Sequence, residues 1–171
     1  LCGVSWRPSG GLLGDEEISS PATDSRSVEK DGLFICLDGT HRDGHDYAAE
    51  AIRRGAAACV CSHPVAGVPC AVTEDTRLAA AFAWYNYYRR PDRKIRVFGI
   101  TGTNGKTSTA AFLSSIFETS GLRCGVIGTL GCRVGNVDIP CPGAENPDVP
   151  AAMTTPDPGY LYSTLAEMER L

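Results

Sequence analysis

Apolar residues recur along this chain in two rhythms. Gly32 to Leu37 (GLFICL) and Ala56 to Cys61 (AAACVC) are short apolar runs between turn residues, which predicts buried strands. Pro69 to Val72 predicts a brief third strand. Between these runs the spacing changes to that of a helix. His45 to Arg54 places Tyr47, Ala48, Ala51 and Ile52 on one face, and Gly55 follows the last basic residues, where a C-terminal cap belongs. Thr76 to Tyr88 reads as a second amphipathic helix, stopped by Pro91. The first twenty residues are rich in Gly and Ser and weakly patterned, with Leu12, Leu13 and Ile18 as a short helix and strand remnant. Strands alternating with helices in this way predict a small α/β domain.

The charged, proline-containing segment RRPDRK, residues 89 to 94, separates this pattern from a second one. Ile95 to Ile100 (IRVFGI) predicts a strand, Lys106 to Thr119 a helix capped by Gly121, and Arg123 to Ile127 another strand. That order is a βαβ unit, whose parallel strands call for a helix-covered sheet. Residues 131 to 141 alternate around Gly135-Asn136 and predict a hairpin. The Pro-rich stretch 140 to 158 is a long loop, a kind of segment that is often functional. Asp157 and Pro158 then make an N-cap and first-turn pair for a last helix through Leu161, Leu165 and Met168. The expected organisation is a first domain over residues 1 to 90 and the beginning of a second over 91 to 171. The second has too few strands to close a sheet and is expected to be incomplete, and a first residue of Leu rather than Met points to a partial sequence.

Composition narrows the function classes. The chain is 43% hydrophobic and 21% charged with a net charge of -4, and its basic residues form no run, so nucleic acid is not an expected partner. No apolar stretch has the length of a membrane span, and the start lacks the order of a signal peptide. Cys36, Cys59, Cys61 and Cys124 sit in apolar runs, where free cysteine behaves as a small hydrophobe. The sequence contains no CxxC pair and its three histidines, His41, His45 and His63, are scattered. The cysteines are therefore read as core residues of a reduced, cytoplasmic protein.

The sharpest chemical signal is GITGTNGKTST, residues 99 to 109, between a predicted strand and a predicted helix. A glycine-rich turn in that setting points backbone N–H groups at phosphate oxygens, and the helix N-terminus adds positive potential. Gly102, Thr103, Asn104, Gly105, Lys106, Thr107 and Ser108 are the expected ATP-binding residues. Lys106 would reach the β- and γ-phosphates, and the Thr107 hydroxyl would ligate Mg2+. The generic GxxxxGK[ST] loop requires glycine at position 100, which here is Ile100, while the glycines fall at 99, 102 and 105.

TGTNGKT resembles the ATP loop of the Mur ligases and of their relative folylpolyglutamate synthase. TDSRSVEKDGLFICLDGTHRDGHDYAAEAIRRGAAACVC, residues 23 to 61, resembles the uridine-nucleotide domain of two Mur ligases, a domain the folylpolyglutamate enzyme lacks. GTLG at 128 to 131 and MTTPDP at 153 to 158 are similar to the member that adds the third amino acid of the peptidoglycan peptide. The resemblance implies an ATP-dependent amide ligase that joins diaminopimelate or lysine to UDP-MurNAc-L-Ala-D-Glu through an acyl phosphate, with ATP and Mg2+ required. It implies substrate contacts at Thr23 and Ser25, at Thr40, His41 and Arg42, and at Thr154 and Thr155. It implies a soluble monomer acting on small molecules. Other readings remain open: the Mur ligase that adds the terminal dipeptide, a plain P-loop enzyme with a regulatory first domain, and a nucleotide-sugar-binding module without catalysis. The family's carbamylated lysine and further Mg2+ ligands do not occur in this sequence, so the 171 residues alone are not expected to ligate.

Overall fold

The computed structural model describes residues 5–12, 17–39, 43–139 and 156–171. They fall into two compact units, Leu1–Arg89 and Arg90–Leu171.

In the first unit, strands β1 (Arg7–Ser9), β2 (Pro21–Ala22), β3 (Gly32–Ile35), β4 (Ala56–Cys61) and β5 (Cys70–Val72) form one sheet in the order β1-β5-β4-β3-β2. The strands from β2 to β5 pair in parallel and β1 adds an antiparallel edge. Successive residues of a strand face opposite sides. Leu33, Ile35, Ala58, Val60 and Ala71 thus meet Ala79 and Ala80 of helix α2 (Thr76–Tyr87). Phe34, Cys36, Cys59, Cys61 and Val72 meet Ala48 and Ala51 of helix α1 (Ala48–Arg54). A sheet covered on both faces explains why its strands read as unbroken apolar runs rather than as an alternation. The alanines on both helices allow close approach to the sheet. Residues 7–9 have no strand pattern in the sequence; β1 is set by its pairing with β5.

The exit from β3 is shaped by Gly44. A Cβ there would lie 2.6 Å from the Leu37 nitrogen, so only glycine fits, and the Gly44 N–H donates to the Leu37 carbonyl. The helix expected from His45 begins instead as a 3-10 turn, Gly44–Tyr47, capped by the Asp43 carboxylate.

In the second unit, helix α3 runs Lys106–Thr119 and helix α4 Pro158–Arg170, as the sequence predicts. Strands β6 (Gly125–Gly128), β7 (Gly131–Val134) and β8 (Val137–Ile139) form an antiparallel sheet around the Gly135-Asn136 turn. Two features differ from expectation: β6 pairs antiparallel with β7 rather than in a parallel βαβ unit, and residues 95–100 form no strand. A strand exists by hydrogen bonding to a neighbour, and no segment among the described residues pairs with this one. Val97 and Phe98 are accordingly more than half exposed. Among the described residues no helix is long and apolar enough to cross a membrane.

Candidate functional site

The glycine-rich turn meets α3 at Gly105, whose φ of 77° lies in the left-handed region; Gly102 has a φ of 146°. Side chains at these positions would strain the backbone. Gly105 caps α3 without a side chain, so the first-turn N–H groups at Lys106, Thr107 and Ser108 keep their donor capacity. The Lys106 ammonium folds back over the turn and donates to the Gly102 carbonyl at 2.5 Å. Thr107 Oγ1 lies 3.4 Å from Thr129 Oγ1 of the GTLG segment. Thr103 and Asn104 are exposed at the tip, and Ser108 is exposed in the first turn of the helix. The structure therefore gathers all seven residues from Gly102 to Ser108 into one open cradle of amides, hydroxyls and a single cation. Its donor set matches a triphosphate, and its hydroxyl oxygens suit a hard ion such as Mg2+. Thr129 belongs to the GTLG segment at 128 to 131, and only the turn that follows β6 brings it to Thr107.

In the first unit, the parallel arrangement puts the C-terminal ends of β2, β3, β4 and β5 along one edge, the usual place for ligands on such sheets. Thr23, just beyond β2, is exposed, whereas Ser25 is buried at the start of a 3-10 turn, Ser25–Ser27. Asp24 caps this turn: its carboxylate accepts from the Arg26 N–H at 2.8 Å and pairs with the Arg26 guanidinium at 2.7 Å. The Arg26 hydrogen bond, foremost, holds the Asp24 carboxyl below the usual carboxylate range. Thr40, His41 and Arg42 lie outside the described residues, but the positions flanking them are fixed. Asp38 and Asp43 bridge the two sides, and Arg77 of α2 donates to the Asp38 carbonyl at 2.6 Å.

His45, buried in the 3-10 turn that follows Asp43, carries no functional signal in the sequence. Its Nδ1 lies 2.6 Å from Asp43 Oδ1, and its Nε2 accepts from the Ser62 N–H at 2.9 Å. Its ring stacks on that of His63 at 4.3 Å. Backbone and side-chain bonds from His45 hold the Asp43 carboxyl below its ordinary value. A lone histidine inside an amphipathic segment carries no signal in sequence; its partners come from 43 and 62 and meet it only in the fold. An open recess of about 710 Å³ lies at the same edge, between Ser62, Thr73, Asp75 and Trp6. Thr154 and Thr155 lie outside the described residues. The helix they precede starts with Asp157 accepting from the Tyr160 N–H at 3.1 Å.

Residues 17–83 match the family model described as Mur ligase family, catalytic domain, and residues 100–171 match that of the Mur ligase middle domain. The chain is 38% identical over 156 residues to the UDP-N-acetylmuramoyl-L-alanyl-D-glutamate–2,6-diaminopimelate ligase of Geobacillus kaustophilus, covering 91% of this chain and 30% of that protein. It is 42% identical over 126 residues to the protein of the same name from Syntrophomonas wolfei, covering 72% of this chain and 26% of that protein. A solved structure of a ligase bearing that name superposes with a TM-score of 0.65 at 23% identity, over 90% of this chain and 30% of that one. This likeness shows the mixed α/β fold expected from the sequence. The chain spans about 30% of the length of the first of these relatives.

Proposed function

Because this chain belongs to the Mur ligase family, we propose that it forms the substrate-binding and phosphate-binding part of an ATP-dependent ligase. That ligase adds the third amino acid, diaminopimelate, to UDP-MurNAc-L-Ala-D-Glu in the cytoplasm. Residues 1–90 take the uridine nucleotide and residues 91–171 begin the ATP domain. The observation that carries the reading is the open cradle at the start of α3, with Lys106 folded over Gly102.

A free carboxylate does not acylate an amine at neutral pH because its leaving group is poor. Phosphorylation by ATP makes an acyl phosphate, and the amine then displaces phosphate to form the amide. The protein's share in such a step is alignment and neutralisation of charge. Amides of Lys106, Thr107 and Ser108 hold phosphate oxygens, and the Lys106 ammonium offsets charge that grows on the transferring group. Thr107, with Thr129 beside it, would hold Mg2+, and the ion would supply further neutralisation of the phosphates. Thr23, Ser25 and the 40–42 loop bind the UDP-sugar, and Thr154 with Thr155 position its peptide end. The enzyme works as a monomer.

Ligand protection tests this directly. UDP-MurNAc-dipeptide should raise the thermal midpoint of the chain, and replacing Thr154 and Thr155 by Val should weaken that effect while leaving protection by ATP and Mg2+ unchanged. Preferential protection by the UDP-MurNAc-tripeptide would point instead to the ligase for the terminal dipeptide. The reverse pattern in the double variant would mean the two sites are exchanged.

A further inference from the structure

Four buried cysteines lie on the α1 side of the first sheet: Cys36 just beyond β3, Cys59 and Cys61 on β4, and Cys70 on β5, each 0% exposed. None of them forms a disulfide. The Cys36 and Cys61 sulfurs lie 3.6 Å apart, and a ring nitrogen of the buried His45 lies within 4.8 Å of both. None of the roles described above uses these three groups. We propose that Cys36, Cys61 and His45 form a binding site for one thiophilic divalent ion of the zinc class, independent of the ligase reading.

Distance decides between coordination types. Two sulfurs bonded to one ion at about 2.3 Å and separated as they are here subtend an angle of about 100°, close to tetrahedral. A linear two-thiolate site, the kind a monovalent soft ion takes, would need them about 4.6 Å apart, twice that bond length. Charge agrees with geometry: two thiolates and a neutral imidazole cancel a divalent ion, so the loaded site adds no net charge to an apolar core. A monovalent ion would leave one negative charge there.

The histidine is already held as a metal-binding histidine is. Its Nδ1 faces the Asp43 carboxylate at 2.6 Å, the outer support that fixes the tautomer and leaves Nε2 with its lone pair. That lone pair now accepts the Ser62 N–H, which follows Cys61 in the chain. Loading exchanges this bond for the ion and releases two thiol protons to solvent, with no change of oxidation state. An ion here would pin the C-terminal ends of β3 and β4 to the turn that carries His45.

The test uses the reduced, chelator-stripped chain titrated with Co2+ and with Zn2+. One Co2+ should bind per chain with the intense thiolate-to-metal absorption that oxygen ligands do not give, and Zn2+ should displace it. The C36S/C61S double variant should lose that absorption, while C124S, a change in the second unit, should keep it. X-ray absorption on zinc-loaded wild type guards against a misfolded variant, and should show sulfur and nitrogen together in the first shell. No Co2+ absorption, absorption that survives in C36S/C61S, or a zinc shell of oxygen and nitrogen alone would overturn the proposal.

Discussion

Lys106 is the residue on which the proposed chemistry turns. Its ammonium is the one cation within the Gly102–Ser108 segment, and it already lies against the carbonyl that opens the turn. Contacts that form with developing charge are worth about 3 kcal/mol in the transition state, which corresponds to roughly a hundredfold in rate. Lys106→Ala in the full-length ligase should therefore lower turnover by about that factor in an ADP-release assay. A rate within about threefold of wild type would remove Lys106 from the role. Gly105 acts through its backbone. With φ at 77°, Gly105→Ala costs about 1 kcal/mol of strain before any ligand binds. ATP affinity and thermal midpoint should fall together.

At the scale of single elements, caps and turn carboxylates govern local stability. Asp157 holds the start of α4 through the Tyr160 N–H, and Asp157→Ala should cost about 1 kcal/mol in denaturant unfolding of the second unit. No change would mean the cap is not formed in solution. Asp24 and Asp43 secure two turns of the first unit, and both carboxyls titrate below their ordinary value. The sign follows from linkage. A depressed carboxylate contributes stability above its unfolded value, about 3.9 for aspartate, and loses it as pH falls through the lower folded value. The thermal midpoint should thus fall on acidification below about pH 4, and the D24N/D43N variant should show a shallower fall. Parallel acid profiles for the two proteins would contradict this.

For the molecule as a whole, the two units differ in how well they cover their apolar residues. The first sheet is packed on both faces. In the second unit α3 buries only Ser114, while Phe112 and Ile116 stand 71% and 59% exposed. Exposed apolar side chains contribute little to folding. F112E/I116E should therefore shift stability by no more than about 0.5 kcal/mol, yet reduce binding of a hydrophobic dye. A loss of several kcal/mol would show that these side chains are packed in solution.

The sequence by itself determined the elements whose cause is local. Unbroken apolar runs located β3 and β4, and Asp157-Pro158 located the start of α4, because caps and periodicity act within a few residues. The glycine-rich turn was legible for the same reason, since Gly102 to Ser108 are contiguous and one turn assembles them. Tertiary structure decided what depends on partners far along the chain. Residues 95–100 have the composition of a strand, but a strand needs a neighbour, and none of the described residues supplies one. β1 has no strand pattern and exists because β5 offers it an edge. The Thr107–Thr129 contact and the Cys36–His45–Cys61 cluster had no signature for the same reason: their separations of 22 and 25 residues match no local period, and only folding brings those atoms within reach.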